Sequence, residues 1–155
     1  MLLVDLDRFK AVNDRHGHVT GDAVLAGVSD ALGVAVRPGD LVGRFGGEEF
    51  VVALLNADAA TAAAVGERVR LRIAGICHRA AGDQEREVRV TASVGIAVLG
   101  ADGFDLDQLV ASADAAMYQA KAAGGNRVVA ASAAVRGFVT EDRIRPDATA
   151  PSEPS

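Results

Sequence analysis

The order of hydrophobic periodicities along the chain is the feature that most limits its fold. Patterns typical of strands and helices follow one another as strand, helix, strand, strand, helix, strand, then a further helix and a short strand. We predict strands at 1–6, 41–45, 48–55, about 88–98 and 127–130, and helices at about 21–35, 58–77 and 106–117. This order is typical of a split βαβ, ferredoxin-like α+β fold. We expect a mainly antiparallel central sheet with helices packed on one of its faces.

A pair of glycines, Gly46 and Gly47, separates the second and third strand-like runs. Glycine tolerates positive φ at low cost, and tight hairpin turns require positive φ at their central residues. The sequence therefore predicts a hairpin here, with both glycines in the turn.

Composition limits the partners and the compartment. A chain of 155 residues fits one domain, and its net charge of -5 with 4% aromatic residues disfavours binding to a nucleic acid polymer. A phosphate-bearing ligand would therefore need a metal ion as mediator. One cysteine, Cys77, excludes an internal disulfide, and no apolar run is long enough for a membrane span. We expect a cytoplasmic protein with Cys77 in the core, and a disordered tail at 132–155 because that segment is poor in apolar residues.

Four acidic residues mark the candidate site: Asp5 and Asp7 end the first strand, and Glu48 and Glu49 follow the two glycines. In a split βαβ sheet the first strand lies beside the hairpin, so these carboxylates can meet at one edge. Two carboxylates about 4 Å apart repel by roughly 4 kcal/mol at an effective dielectric of 20. A magnesium ion between them would remove that cost, because Mg²⁺ prefers oxygen ligands. The alternative is that these acids are solvated strand ends.

The residues around the glycines extend into a longer pattern. Arg44 to Phe50 reads RFGGEEF. It is accompanied by further blocks along the chain: DLDRFKAVND at 5–14, GH at 17–18, GD at 21–22, TASVGIA at 91–97, and AD at 113–114 through YQAK at 118–121. Together these blocks resemble the GGDEF family of diguanylate cyclases in its GGEEF form, from residue 1 to about 131. The resemblance implies a nucleotidyl cyclase palm-like fold. It also implies condensation of two GTP molecules into cyclic di-GMP with release of two pyrophosphates.

The resemblance also implies roles for individual residues. Asp5, the Leu6 carbonyl and Glu48 would hold Mg²⁺, or Mn²⁺ in its place, and Glu49 would assist metal binding or activate the attacking hydroxyl. The substrate-binding set would comprise the backbone amides of Phe9 and Lys10, the Lys121 ammonium, the glycines Gly46 and Gly47, and the guanine-reading residues Asn13 and Asp22. Arg37 and Asp40, with Arg68 as a secondary contact, match the family's product-inhibition site.

Each of these assignments has a plainer alternative. Asn13 can serve as a turn residue and Asp22 as a helix cap, because both side chains accept hydrogen bonds from nearby backbone amides. The stretch Arg37-Pro38-Gly39-Asp40 can be a polar turn without a ligand.

The sequence departs from the family pattern at two places. The family carries a segment with a D-x-L-T-G-L-x-N-R block before the first strand, and here the chain begins at that strand, so we interpret residues 1–131 as an amino-terminally truncated GGDEF domain. Gly125 stands where the family usually has a basic residue that contacts phosphate. Catalysis in the family needs two facing protomers. Two functions therefore stay open: a diguanylate cyclase that acts as a homodimer, and a GTP- or cyclic di-GMP-binding regulatory module with weak or no catalysis.

Overall fold

A computed structural model describes residues 1–100 and 105–131, and the predicted tail at 132–155 lies outside the described residues. The elements in chain order are β1 (Leu2–Leu6), α1 (Phe9–Ala35), β2 (Leu41–Arg44), β3 (Glu49–Ala53), α2 (Ala59–Gly75), β4 (His78–Ala80), β5 (Asp83–Val88), β6 (Ala92–Ile96), α3 (Leu106–Ala122) and β7 (Arg127–Ala130). None of the helices in these two ranges is long and apolar enough to cross a membrane.

The central sheet has five strands in the order β2-β3-β1-β6-β7. The middle strand, β1, runs antiparallel to both β3 and β6, and β7 joins the edge parallel to β6. In this register Asp5 lies opposite Glu49 on one side and Ser93 on the other. The α+β fold with a split βαβ core is therefore confirmed.

The two faces of the sheet carry different helices. Leu2, Val4 and Leu6 pack with residues of α1 and α2, whereas Leu3 packs with Ala113 and Met117 of α3. The prediction of helices on one face holds for α1 and α2 and is wrong for α3. Because side chains alternate along a strand, Asp5 lies on the α3 face together with Leu3.

Helix α1 begins at Phe9, twelve residues earlier than predicted. Residues 9–20 are mostly polar and hide the helical period, and Gly17 breaks the helix with φ 78° and ψ 161°. Thr20 is fully buried at this kink, where its hydroxyl donates to the His16 carbonyl oxygen and accepts from the Ala81 amide. The kink is therefore held against the β4–β5 hairpin.

The predicted strand at 88–98 divides into two. The end of β5 pairs with β4 in a separate two-stranded sheet, whereas β6 pairs with β1 and is buried along its whole length. Apolar residues alternate with polar or small residues through both parts, so periodicity alone does not reveal that the two parts pair with different strands. Cys77, predicted to be buried on α2, follows the end of that helix at Gly75 and is exposed.

Candidate active site

Two acidic segments meet at the end of β1. Asp5 is 4% exposed, and the Leu6 amide donates to the Glu48 carbonyl oxygen at 3.3 Å. Glu48 lies in the turn before β3, and Glu49 is the first residue of that strand. The structure thus brings Asp5, Glu48 and Glu49 together at one edge of the sheet.

Both central carboxyl groups have raised pKa values. Burial raises the pKa of Asp5, and the nearby Asp7 charge adds to this rise, while the Lys121 ammonium acts against it. Burial also raises the pKa of Glu48, helped by the negative charge of Asp5. Negative charge is therefore costly at this edge, and a cation placed between the two groups would reduce that cost.

Lys121 supplies part of the compensating charge. It lies in the last turn of α3, and its Nζ is 2.7 Å from Asp5 Oδ2. The lysine side chain is 41% exposed, whereas that of Asp5 is 5% exposed. Solvent therefore reaches this ion pair from the lysine side.

The oxygen donors at this edge suit Mg²⁺ better than a structural metal ion that is coordinated by protein side chains alone. Asp5 and Glu48 offer two carboxylates, and the described residues contain no group of three or more His, Cys, Asp or Glu side chains that could hold a metal ion. Mg²⁺ is commonly held by one or two carboxylates, with water and substrate phosphates in its other positions. The two carboxylates present fit such an ion.

The glycine turn has a different basis from the one predicted. Neither Gly46 nor Gly47 has a positive φ, so the conformational argument for these two glycines is wrong. A Cβ at Gly46 would lie 2.6 Å from Glu49 Oε2, whereas the space around Gly47 is open. Arg44 supports the turn by donating from Nε to the Gly46 and Gly47 carbonyl oxygens at 3.1 and 3.2 Å. The glycines thus make room for Glu49 and leave one side of the turn accessible.

The turn from β1 into α1 exposes the start of a helix. Arg8 precedes Phe9 in the left-handed conformation with φ 56°, and within the described chain no side chain caps this helix end. Amides in the first turn of a helix lack intrahelical acceptors and attract anions. Phe9 and Lys10 are the first two residues of α1, so their backbone amides belong to this first turn.

Asn13 and Asp22 lie on the same helix, on opposite sides of the kink. The Asn13 Oδ1 atom covers Gly21, where a Cβ would be 1.9 Å away, so position 21 has no room for a side chain. Asp22 follows at once and is exposed. Both residues are inside α1, which contradicts the turn alternative for Asn13 and the cap alternative for Asp22.

Arg37 and Asp40 form a closed turn after α1. Arg37 Nε lies 3.5 Å from Asp40 Oδ1, and that carboxylate also accepts from the Leu55 amide at 3.1 Å. Burial acts to raise the pKa of Asp40, but the amides of Leu55 and Arg37 and the Arg37 guanidinium outweigh it and hold the pKa below its ordinary value. Arg68 donates from Nε to the Ala35 carbonyl oxygen at 2.7 Å, so it reaches the same turn from α2.

Sequence reasoning gave no role to two residues that shape the site. Arg44 is part of the RFGGEEF motif without a function of its own. Asp7 is grouped with Asp5, Glu48 and Glu49 as an acid that can meet them at one edge, but it is given no separate role. Asp7 accepts three hydrogen bonds, from Thr91, Ser93 and Asn126. The hydroxyl residues at 91 and 93 were the available signal, but nothing in their spacing relates them to Asp7.

Comparisons with known proteins show which family the chain is similar to. The family model "Diguanylate cyclase, GGDEF domain" matches residues 1–127. The chain is 38% identical over 132 residues to a probable diguanylate cyclase DgcT of Escherichia coli, and 40% identical over 132 residues to the response regulator PleD of Caulobacter vibrioides. These matches cover 83% and 85% of this chain but 28% and 29% of the relatives, so the chain spans less than a third of their length.

Solved structures agree as well. The active GGEEF domain of a diguanylate cyclase from Vibrio cholerae superposes with a TM-score of 0.76 at 30% identity, covering 84% of this chain and 81% of that one. The GGDEF domain of DgcB from Caulobacter crescentus in complex with c-di-GMP gives 0.77 at 30% identity, covering 84% and 75%.

The five-stranded sheet with its helices and the similarity to these GGDEF domains show a nucleotidyl cyclase palm fold. Within that class, the chain belongs to the GGDEF family of diguanylate cyclases.

Proposed function

We propose that this chain is a diguanylate cyclase that condenses two GTP molecules into cyclic di-GMP and two pyrophosphates, using Mg²⁺ or Mn²⁺. The observation that carries the proposal is the meeting of Asp5 and Glu48 at one sheet edge, with the Lys121 ammonium 2.7 Å from Asp5. A metal-bound triphosphate needs both signs of charge at such an edge. The family match supports the reaction class.

Asp5, Glu48 and the Leu6 carbonyl are the groups that would hold the metal. The bound metal would lower the pKa of the attacking hydroxyl and neutralise charge on the triphosphate. Glu49, whose carboxylate lies against Gly46, would accept the hydroxyl proton or support the metal ligands. The 3′ oxygen of one GTP then bonds to the α-phosphorus of the other, the bond from that phosphorus to the bridging oxygen breaks, and pyrophosphate leaves with those electrons.

The remaining site residues bind and select the nucleotide. The amides of Phe9 and Lys10 at the start of α1 and the Lys121 ammonium would hold the β and γ phosphates. Asn13 and Asp22 would read guanine, because a carboxylate accepts from its N1–H and N2–H groups and adenine lacks that donor pair. Once a bound nucleotide covers these side chains, leaving one of them unpaired would cost roughly 1 to 3 kcal/mol, which would favour GTP over ATP.

Dimerisation and feedback complete the proposal. Each half-site holds one GTP, so two copies must face each other about a two-fold axis to close both new bonds. Cyclic di-GMP would bind at Arg37 and Asp40 with Arg68 nearby, because a guanidinium can grip phosphate bidentately. GTP is a cytoplasmic substrate, and a single exposed cysteine suits a reducing compartment.

A regulatory module without catalysis is the second candidate. Gly125 favours it, since this position offers no side chain for a phosphate.

Product analysis separates the two candidates. Purified protein is incubated with GTP and MgCl₂ or MnCl₂ across a range of protein concentrations, and cyclic di-GMP is quantified by chromatography. We expect product from GTP but not from ATP, a specific activity that rises with protein concentration, and at least about a hundredfold loss in Asp5→Asn and Glu48→Gln.

The matched control is Asp30→Asn, which changes an exposed acid on α1 far along the chain from the site. Binding of GTP or cyclic di-GMP without any product at the highest protein concentration would favour the regulatory module and contradict the cyclase.

A further inference from the structure

The carboxylate of Asp7 is engaged on both oxygens. Its Oδ2 accepts from the Thr91 hydroxyl at 2.6 Å and from the Asn126 amide at 2.8 Å, and its Oδ1 accepts from the Ser93 hydroxyl at 2.7 Å. Ser93 is fully buried. Three donors at these distances fix the carboxylate, so Asp7 has little freedom to approach a substrate or a metal ion.

Two of these hydrogen bonds hold β1 to the neighbouring part of the sheet. Ser93 belongs to β6, and Thr91 directly precedes that strand. The Asp7 amide also donates to the Thr91 carbonyl oxygen at 2.9 Å. The sheet therefore supplies a rigid base for the Asp7 carboxylate.

The third hydrogen bond reaches a different element, the loop between α3 and β7. Gly124, Gly125 and Asn126 all have positive φ, at 108°, 75° and 47°. Asn126 is the only one of the three with a side chain, and asparagine adopts the left-handed conformation more readily than most residues. Its amide donates to Asp7 Oδ2 at 2.8 Å, and its Oδ1 accepts from Arg70 Nη1 at 2.8 Å.

The loop lies directly on the carboxylate. A Cβ at Gly125 would be 2.7 to 2.9 Å from the Asp7 carboxyl atoms. The same loop closes the end of α3, because the Gly124 amide donates to the Lys121 carbonyl oxygen and the Gly125 amide to the Ala120 carbonyl oxygen, both at 3.0 Å. Fixing the loop therefore fixes the last turn of α3.

Lys121 is in that last turn. Its ammonium contacts Asp5 near the end of β1, while Asp7, just after that strand, holds the loop that ends the helix of Lys121. The two acids thus secure Lys121 at two points: Asp5 at the tip of the side chain and Asp7 at the backbone behind it.

We infer that Asp7 is a positioning residue that acts through the α3–β7 loop to hold the Lys121 ammonium at the acidic edge. Its contribution to phosphate binding rests on the proposed function, because it operates through Lys121. Its contribution to the placement of Lys121 does not depend on that function.

The first test measures the placement of Lys121 without any nucleotide. The chain has two lysines, Lys10 and Lys121, so exposed Lys10 serves as an internal reference. Trace acetylation with acetic anhydride, quantified by peptide mass spectrometry, gives the ratio of the two rates. We expect Asp7→Ala to raise the Lys121 to Lys10 ratio several-fold, and the control Asp30→Ala to leave it unchanged. An unchanged ratio in folded Asp7→Ala would overturn the inference.

The second test asks whether the effect on phosphate binding passes through Lys121. The probe is 3′-deoxy-GTP with MgCl₂, which binds but lacks the attacking hydroxyl, and affinity is measured by titration calorimetry. Loss of one charge-assisted contact in Lys121→Ala should weaken binding roughly tenfold or more. We expect Asp7→Ala to weaken binding in the wild-type background but to add nothing in the Lys121→Ala background. If the losses of affinity caused by the two substitutions multiply in the double variant, Asp7 acts independently of Lys121, which would refute the inference.

Two precautions keep the outcomes separate. Asp7→Asn retains one carbonyl oxygen for the Asn126 amide, so this variant should show smaller effects than Asp7→Ala. If Asp7→Ala fails to fold, Asp7→Asn is used in both tests instead. If wild-type protein binds no 3′-deoxy-GTP, the proposed function fails, and the acetylation ratio still decides the role of Asp7.

Discussion

The close approach of α3 to β6 at Gly95 gives a sharp test of the fold that positions Lys121. A Cβ at Gly95 would lie 2.0 Å from the Ala113 carbonyl oxygen and 2.3 Å from the Met117 amide nitrogen. Both are backbone atoms of α3, so no side-chain rotation relieves the overlap. Carbon and oxygen atoms in contact normally lie about 3.3 Å or more apart, so in Gly95→Ala the helix must move away by more than about 1 Å.

Such a movement costs free energy in two ways. Overpacking a core typically costs about 1 to 3 kcal/mol. The shift would also loosen the packing of Ala113 and Met117 on Leu3. We therefore expect Gly95→Ala to lower the free energy of unfolding by about 3 kcal/mol or more.

Gly33→Ala is the matched control because it makes the same chemical change. Gly33 lies within α1 and has nothing within 4 Å of its Cβ position. Alanine in an open helical position should raise the free energy of unfolding by about 0.5 to 1 kcal/mol. Urea unfolding followed by circular dichroism compares the two variants with wild type. A value for Gly95→Ala within about 0.5 kcal/mol of wild type would refute the account of how α3 packs.

Three further predictions concern other parts of the chain. Burial lowers the pKa of His78, whose Nε2 has no hydrogen-bond partner among the described residues, so the unfolded chain takes up a proton first. The free energy of unfolding should therefore fall as pH drops below about 6.5, by at most about 1.4 kcal/mol per pH unit. If the urea midpoints of a His78→Leu variant depend on pH as steeply as those of the wild type, the prediction is wrong. Arg37→Ala should raise the cyclic di-GMP concentration for half-inhibition about tenfold in the chromatographic assay, whereas an equal inhibition curve would exclude the feedback site. Gly125→Arg should lower the free energy of unfolding by about 1 to 3 kcal/mol, because Gly125 has a φ of 75° and a Cβ there would overlap the Asp7 carboxylate. A raised melting temperature of this variant would contradict the prediction.

The sequence predicted the elements whose signal is local. The apolar run of β1, the two strands around Gly46 and the helical period of α3 each lie within one short segment, and the order of elements then determines which strands are neighbours. The blocks around Asp5 and Glu48 also identified the family, because several separated motifs agreed.

Features that depend on distant residues could not be read in this way. The start of α1 is polar and broken at Gly17, so its helical period is hidden. The ion pair of Lys121 with Asp5 joins the two ends of the domain, and no spacing rule relates them. The reason for Gly46 is the neighbouring Glu49 carboxylate rather than backbone conformation, which only coordinates reveal.

The location of the metal ion in the nucleotide complex tests the central claim most directly. Crystals grown with MnCl₂ and 3′-deoxy-GTP, measured near the manganese absorption edge, locate the ion by anomalous scattering. We expect a manganese peak between the carboxylates of Asp5 and Glu48, in contact with nucleotide phosphate. A nucleotide bound with its manganese away from both carboxylates would contradict the account.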